Sequence, residues 1–169
     1  SHKILKIHHS IHILGLDIDQ TLIKRAIETY NDTKDITFKA LNVMTTEDQE
    51  IIYTFLSRFE KQAFDLTFCF SVTMWIHLNN GDEGLLKFLT FISNISRTII
   101  IEPQPWNCYR SAQRRLKKSG STFILYEKLK IRKDIEYVIE STMQNNNHSK
   151  IYESASSIWK RKITSYQLK

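Results

Sequence analysis

Residues 64–106 read FDLTFCFSVTMWIHLNNGDEGLLKFLTFISNISRTIIIEPQPW, and their reading decides the fold. Residues 64–72 form a nearly continuous apolar run rich in β-formers, the pattern of a strand buried on both faces. Its polar breaks, Thr67 and Ser71, are small enough to be tolerated there. Residues 73–81 are too polar for a core strand and too aromatic for an ordinary connection, and read as a polar-aromatic loop. Asp82 and Glu83 suit the electropositive start of a helix. Leu85, Leu86, Phe88, Leu89, Phe91, Ile92 and Ile95 give that helix a wide apolar stripe. Residues 98–101 are a second short β-branched run, stopped abruptly by Glu102, Pro103, Gln104, Pro105 and Trp106. Strand, loop, helix, strand, loop is the grammar of an open α/β sheet, in which ligands bind beyond the carboxyl ends of the strands. Both unusual loops fall on that edge.

Upstream, residues 11–16 predict a strand closed by Asp17, Ile18 and Asp19. Asp19 is placed to cap a helix whose apolar set is Leu22, Ile23, Ala26, Ile27 and Tyr30. Residues 36–41 predict another strand ending at Asn42. Thr46 and Gln49 then fit a capping box ahead of Ile51, Ile52, Phe55, Leu56 and Phe59 on one helix face. Downstream, residues 108–119 predict a basic helix stopped by Gly120. Residues 131–143 predict a further helix, and two strand-like runs flank Trp159, Lys160 and Arg161. The alternation implies a mostly parallel sheet with helices on both faces, in a single domain over residues 1–169. Residues 1–10 are expected to be the remnant of a preceding helix or linker.

At 169 residues with 41% apolar and 25% charged side chains, the chain has the composition of a soluble globular domain. No apolar run approaches the roughly 20 residues of a membrane span. Two cysteines, Cys69 and Cys108, lack metal-ligand spacing and read as free thiols of a reducing compartment, the cytoplasm or alternatively the nucleus. Twenty-four Lys and Arg against eighteen Asp and Glu give a net charge of +6, which permits an anionic partner without demanding one. Arg110, Arg114, Arg115, Lys117 and Lys118 crowd the segment just after the second loop.

LDID, FCFSVTMWIHLNNGDEGL and EPQPWNCYRSAQRRLKKSG together resemble the methyltransferase domain of the bicoid-interacting protein family. That resemblance implies a Rossmann-like class I α/β fold that uses S-adenosylmethionine to methylate RNA 5′ phosphates. FC before SVT, and CYR followed by RRLKK, resemble the branch acting on RNA 5′-monophosphate, with small RNAs of the tRNA or precursor-microRNA type as substrates. The sister branch, which caps the γ-phosphate of a small nuclear RNA, carries Lys where this chain has Met74, and an EPQPWSSY-like run. Family members begin with a strand and a glycine-rich loop of the DxGCNxG type, and this sequence starts after that motif. Its four glycines supply no substitute, so the expectation is either a fragment or a paralogue that has lost cofactor binding.

The resemblance implies a cofactor set of Asp17, Ile18, Asn42, Val43, Phe70 and Ser71. Asp17 would accept hydrogen bonds from the ribose hydroxyls, since a carboxylate is acceptor-only and a diol offers two donors. Its alternative role is helix capping. Asn42, with Val43 beside it, matches the position that reads adenine, and is otherwise a turn residue. Phe70 and Ser71 would pass near the cofactor, with core packing the alternative for Phe70. His77, Glu102 and Gln104 form the candidate catalytic set. A lone His between Ile76 and Leu78 also suits a purely structural role. Pro103 and Pro105 restrict the second loop and so fix Glu102, Gln104 and Trp106 in direction. Glu102 repels phosphate and is expected to orient a neighbour or the sulfonium side rather than bind RNA, whereas Gln104 can donate to a phosphate oxygen. Trp106 or Tyr109 could stack on the first base, or Trp106 could be a core anchor. Arg110, Arg114 and Lys117, at i, i+4 and i+7, share a helix face that either contacts phosphate or is merely solvated.

The implied reaction moves a sulfonium methyl group to a terminal phosphate oxygen, with no metal and no catalytic base. The expected partner is RNA with a 5′ phosphate, engaged by a monomer away from any membrane. The competing readings are a non-catalytic RNA-binding paralogue, the γ-phosphate capping activity, and a methyltransferase of the same fold acting on a protein or small molecule.

Overall fold

The β-branched runs become strands and the periodic segments between them helices, in a computed structural model that describes residues 11–30, 32–158 and 161–169. The expected remnant at residues 1–10, together with Trp159 and Lys160, lies outside the described residues. The chain divides into two compact units, the first running to Phe55 and the second from Leu56 to Lys169.

In the first unit, β1 (Ile13–Asp17) and β2 (Ile36–Ala40) pair in parallel, joined through α1 (Gln20–Thr29). Gly15 lies against the Phe38 ring, where an added Cβ would come within 2.6 Å of a ring carbon, so only glycine fits the pairing. Asp19 caps α1 as expected, accepting from the Thr21 and Leu22 amides. The apolar set of α1 behaves otherwise than expected: Ile23 is buried, while Leu22, Ile27 and Tyr30 are exposed. α2 (Thr46–Ser57) starts without the expected capping box. Gln49 instead donates its amide to the Val43 carbonyl, and Asp48 accepts from the Asn42 amide at 2.7 Å. Both contacts fasten the turn that precedes α2 to its first turn.

The second unit carries a four-stranded sheet in the order β3-β4-β6-β5. β3 (Phe64–Phe70) and β4 (Ser96–Glu102) are parallel, while β6 (Thr164–Leu168) pairs antiparallel with both β4 and β5 (His148–Glu153). α3 (Thr73–Asn94), α4 (Trp106–Lys118) and α5 (Ile135–Asn145) complete it. The core is built from Leu85, Leu89, Ile99, Ile101, Ile139 and Met143, each at most 1% exposed. Burying a side chain of this size contributes about 1.5–3 kcal/mol. Of the stripe expected for α3, only Leu86 faces water. Gly120, with φ 79°, ends α4 as expected, its amide and that of Ser121 bonding back to Lys117 and Leu116.

Two expectations need correction. β3 is an edge strand, and Leu66, Phe68 and Phe70 are 43–57% exposed rather than buried on both faces; of the seven residues only Cys69 is buried. Burial pushes the Cys69 thiol pKa up to about 12, so the group is chemically inert at neutral pH. Residues 73–80 are not a loop but the first two turns of α3, which breaks at Gly81 (φ 72°, ψ −174°) and continues from Asp82. The buried positions Met74, His77, Leu78, Leu85, Phe88, Leu89 and Ile92 run through that break at helical spacing.

Candidate functional site at the carboxyl ends of β3 and β4

The register that pairs Phe70 with Glu102 brings the two strand ends level, so Ser71 and Pro103 leave the sheet side by side. Ser71 has φ 56°, a left-handed conformation that is costly outside glycine and persists only where its surroundings over-determine it. They do so here. The Ser71 amide donates to the Glu102 carbonyl, its hydroxyl donates to Glu102 Oε2 at 2.7 Å, and its carbonyl accepts the Gln104 amide at 2.6 Å. A fourth contact comes from the far end of the chain, where Arg161 Nη1 donates to the Ser71 hydroxyl at 2.9 Å. The same Nη1 lies 3.6 Å from Glu102 Oε2. Glu102 thus contacts both the Ser71 hydroxyl and the Arg161 guanidinium.

Gln104 is only 3% exposed, and its amide is engaged within the protein rather than held out for a ligand. Nε2 holds Ser71, while Oε1 accepts long bonds from the Thr73 hydroxyl and the Met74 amide, each 3.4 Å. Val72, the N-cap of α3, offers no side-chain cap, so Gln104 supplies the missing acceptor from another strand end. The phosphate contact expected of it would fall to the second Nε2 hydrogen, which has no partner among the described residues.

His77 is fully buried in the first segment of α3. Its Nε2 lies 2.7 Å from Asp82 Oδ1 and its Nδ1 3.1 Å from the Tyr109 hydroxyl. Burial holds the imidazole pKa below its ordinary value, partly opposed by the Asp82 hydrogen bond and charge. A neutral ring donating to Asp82 and accepting from Tyr109 satisfies all three groups. Burial works to raise the Asp82 pKa, but hydrogen bonds from His77 and from the Lys130 and Ile131 amides outweigh it and hold the carboxylate below its usual range. Tyr109 is also fully buried, and burial raises its phenol pKa. Neither His77 nor Tyr109 has a surface to offer a ligand.

Trp106 opens α4 directly after Pro105, and its ring is already covered. Tyr109 and Tyr126 stack on it at centroid distances of 4.9 and 5.4 Å, and the Arg132 guanidinium lies 5.2 Å from its centre. Trp106 remains half-buried and lines a cavity of the second unit. Further along α4, Tyr109, Ala112 and Gln113 are buried while Arg110, Arg114 and Lys117 are exposed, so the three cations share an outward face. Arg110 bonds the Asn107 side chain and Arg114 the Ser111 hydroxyl, and among the described residues no carboxylate pairs with any of the three. Their charge is available to an anion.

Two features escaped sequence reading. Gln113, 4% exposed, donates to the Thr122 hydroxyl and accepts from the Phe123 amide, so the connection after α4 is fastened down. From it Phe123 meets Trp75, and Leu125 covers Gly81. A cavity of about 570 Å³ is lined by Gln104, Trp106, Arg132, Tyr137, Glu140 and Tyr166 among others, and neither Ser71 nor Glu102 lines it. Arg161 is the other omission, ninety positions from Ser71 and without a local motif to flag it.

Phe70, half exposed, ends β3 beside Phe68 and is not core. The remaining cofactor candidates belong to the first unit. Asp17 is exposed at the end of β1, where Oδ1 accepts from the Asp19 amide at 2.8 Å and Oδ2 has no partner among the described residues. Ile18 follows it, 71% exposed. Asn42 closes a turn through its Oδ1 to the Met44 amide, while its side-chain NH2 group has no partner among the described residues. The Val43 carbonyl is engaged by Gln49.

The sequence model of Bicoid-interacting protein 3 (Bin3) matches residues 64–168. The RNA 5′-monophosphate methyltransferase of Bos taurus is 37% identical over 162 residues, 94% of this chain and 56% of that protein. The pre-miRNA 5′-monophosphate methyltransferase of Xenopus laevis is 37% identical over 94% of this chain and 63% of its own length. The chain therefore spans less than two thirds of either relative. Among solved structures, magnesium protoporphyrin IX methyltransferase from Synechocystis PCC 6803 with bound SAM superposes with a TM-score of 0.58 at 11% identity, covering 94% of this chain and 60% of the other. That likeness shows the fold, the Rossmann-like α/β arrangement of class I methyltransferases.

Proposed function

The chain belongs to the bicoid-interacting protein 3 family, and from that membership we propose that it serves an S-adenosylmethionine-dependent methyltransferase acting on the 5′-monophosphate of small RNAs, of the tRNA or precursor-microRNA type. The observation that carries the proposal is the likeness to proteins named for that activity along 94% of the chain. When bound, S-adenosylmethionine supplies an electrophilic methyl group. The residues present fit it: the open oxygen of Asp17 suits a ribose diol, and the unengaged NH2 group of Asn42 suits an adenine nitrogen acceptor.

The acceptor needs no base. A terminal phosphate with a second pKa of about 6 is already dianionic near neutral pH. The burial of His77, with both ring nitrogens engaged, supports a reaction without proton abstraction. What remains for the chain is alignment of two bound molecules, which converts an encounter into a near-unimolecular step. The uncompensated cations of α4 support backbone contact with RNA just past the strand ends. The free thiols Cys69 and Cys108 support a reducing compartment, and we place the reaction in the cytoplasm.

The experiment is labelled-methyl transfer to three matched RNAs ending in a 5′ monophosphate, a 5′ triphosphate or a 5′ hydroxyl, followed by end-group digestion. Label on the monophosphate RNA, at its 5′ end, is the expected result. Equal transfer to the hydroxyl-ended RNA, or label within the chain, would remove the assignment.

A further inference from the structure

Arg161 stands at the carboxyl edge of the sheet, three residues before Thr164, which pairs with Ile101 near the end of β4. Its guanidinium is oriented from one side. Nη1 is held by the Ser71 hydroxyl and the Glu102 carboxylate, whereas Nη2 has only Cys108 Sγ, a weak acceptor 3.9 Å away. Nε is buried and has no hydrogen-bond partner. Nε and Nη2 together are the edge with which a guanidinium grips two oxygens of one phosphate or carboxylate. That edge is therefore unsatisfied, while the opposite corner is fixed in place.

A buried donor without an acceptor is costly, and such groups call for an explanation in ligand or function. Glu102 meets Nη1 and the Ser71 hydroxyl through Oε2, and Nε is left without a partner. The Arg161 side chain keeps 28% of its surface open although Nε itself is buried, so an anion would have to enter beside Cys108 to reach that edge. An anion with two adjacent oxygens would displace the thiol contact and satisfy Nη2 and Nε at once. Arg110, Arg114 and Lys117, on exposed positions of α4, would meet backbone phosphates of the same RNA chain.

Resting on the 5′-phosphate reading, we infer that Arg161 receives the terminal phosphate of the RNA, through its Nε and Nη2 edge, at the strand ends where Ser71 and Glu102 fix it. The α4 cations then provide general affinity, and Arg161 provides recognition of the end. A planar fork, not charge alone, makes the distinction, so lysine is a poor replacement.

The test is fluorescence-anisotropy binding of two matched single-stranded RNAs, one with a 5′ monophosphate and one with a 5′ hydroxyl, to wild type, Arg161→Ala, Arg161→Lys and Arg114→Ala. Thermal melting of each variant runs alongside. Wild type should favour the phosphorylated RNA, and Arg161→Ala should lower that preference about ten- to hundredfold, the worth of hydrogen bonds to a charged group. Affinity for the hydroxyl-ended RNA should stay within about twofold. Arg161→Lys should also lose most of the preference, and it decides the matter if the alanine variant does not fold. Arg114→Ala should weaken both RNAs alike and leave their ratio intact. A wild type that does not distinguish the two ends sinks the 5′-phosphate reading itself. A wild type that does, with the ratio unchanged in the Arg161 variants, overturns this inference alone, whatever the melting temperatures.

Discussion

His77 and Asp82 meet at 2.7 Å across the break at Gly81, so a single side-chain contact spans the two segments of α3. Removing it by His77→Gln or Asp82→Asn strands a buried partner and should cost about 1–3 kcal/mol. The pH dependence has a definite sign. Unfolded His77 takes its proton near 6.5, but the buried ring takes it only at lower pH, so below 6.5 the unfolded chain binds more protons and stability falls. Asp82, held below the ordinary carboxylate value of 3.8, loses its contribution only as pH falls through more acid values. Melting curves at pH 7.5, 6.5 and 5.5 should therefore show a decline that His77→Gln flattens. Equal slopes in the two proteins would exclude His77 as the source.

Gly81 occupies backbone space open essentially to glycine, at φ 72° and ψ −174°. An added Cβ would find ordinary contact with Leu125 at 3.5 Å, so the penalty for Gly81→Ala is in the backbone and not in a clash. A loss of about 1–3 kcal/mol is expected. Trimming Leu125 to Ala in the same chain should not recover it, and urea denaturation of the single and double variants makes the comparison.

Gln104→Ala removes the donor on the Ser71 carbonyl and the acceptor facing Met74, both in buried surroundings. The expected destabilisation is about 1–3 kcal/mol with an unchanged denaturant slope. Gln104→Glu should be worse, because a carboxylate would then face the Ser71 carbonyl 2.6 Å away. A glutamate variant as stable as wild type would mean that the amide contact has no role in holding the strand ends.

Neutralising Arg114 and Lys117 together should weaken RNA binding uniformly across sequences and reduce the salt slope by up to about two units. Titrations from low to moderate salt measure it directly. A slope equal to that of wild type would return this face of α4 to the role of solvated surface.

The alternation of strand and helix was legible because β-branched runs and helical stripes are local signals. The helix at residues 73–80 was hidden by the same logic. His77 counts as polar, and Asn79, Asn80 and Gly81 read as a turn, although the asparagine side chains in fact bond back to Trp75 and Ile76 within the helix. β3 was misread because burial of a strand depends on what pairs with it, which its own residues do not encode. Gln104, His77 and Tyr109 are engaged within the protein, Ser71 and Glu102 are half-buried at the strand ends, and the cations of α4 are exposed. Arg161 reaches Ser71 through a contact ninety positions long, which no window on the sequence spans.

β3 carries a further consequence, for the behaviour of the molecule as a material. Seven residues, FDLTFCF, stand at the rim of their sheet with one row of backbone groups unpaired by any described strand and three large apolar side chains turned to water. Such a ribbon is a template for copies of itself. Asp65 is its one charge, and so its one gatekeeper. Solutions of the chain should scatter more light as concentration rises, and Asp65→Asn should hasten the onset. The shelf life of a preparation is then set by a strand edge rather than by the chemistry beyond it.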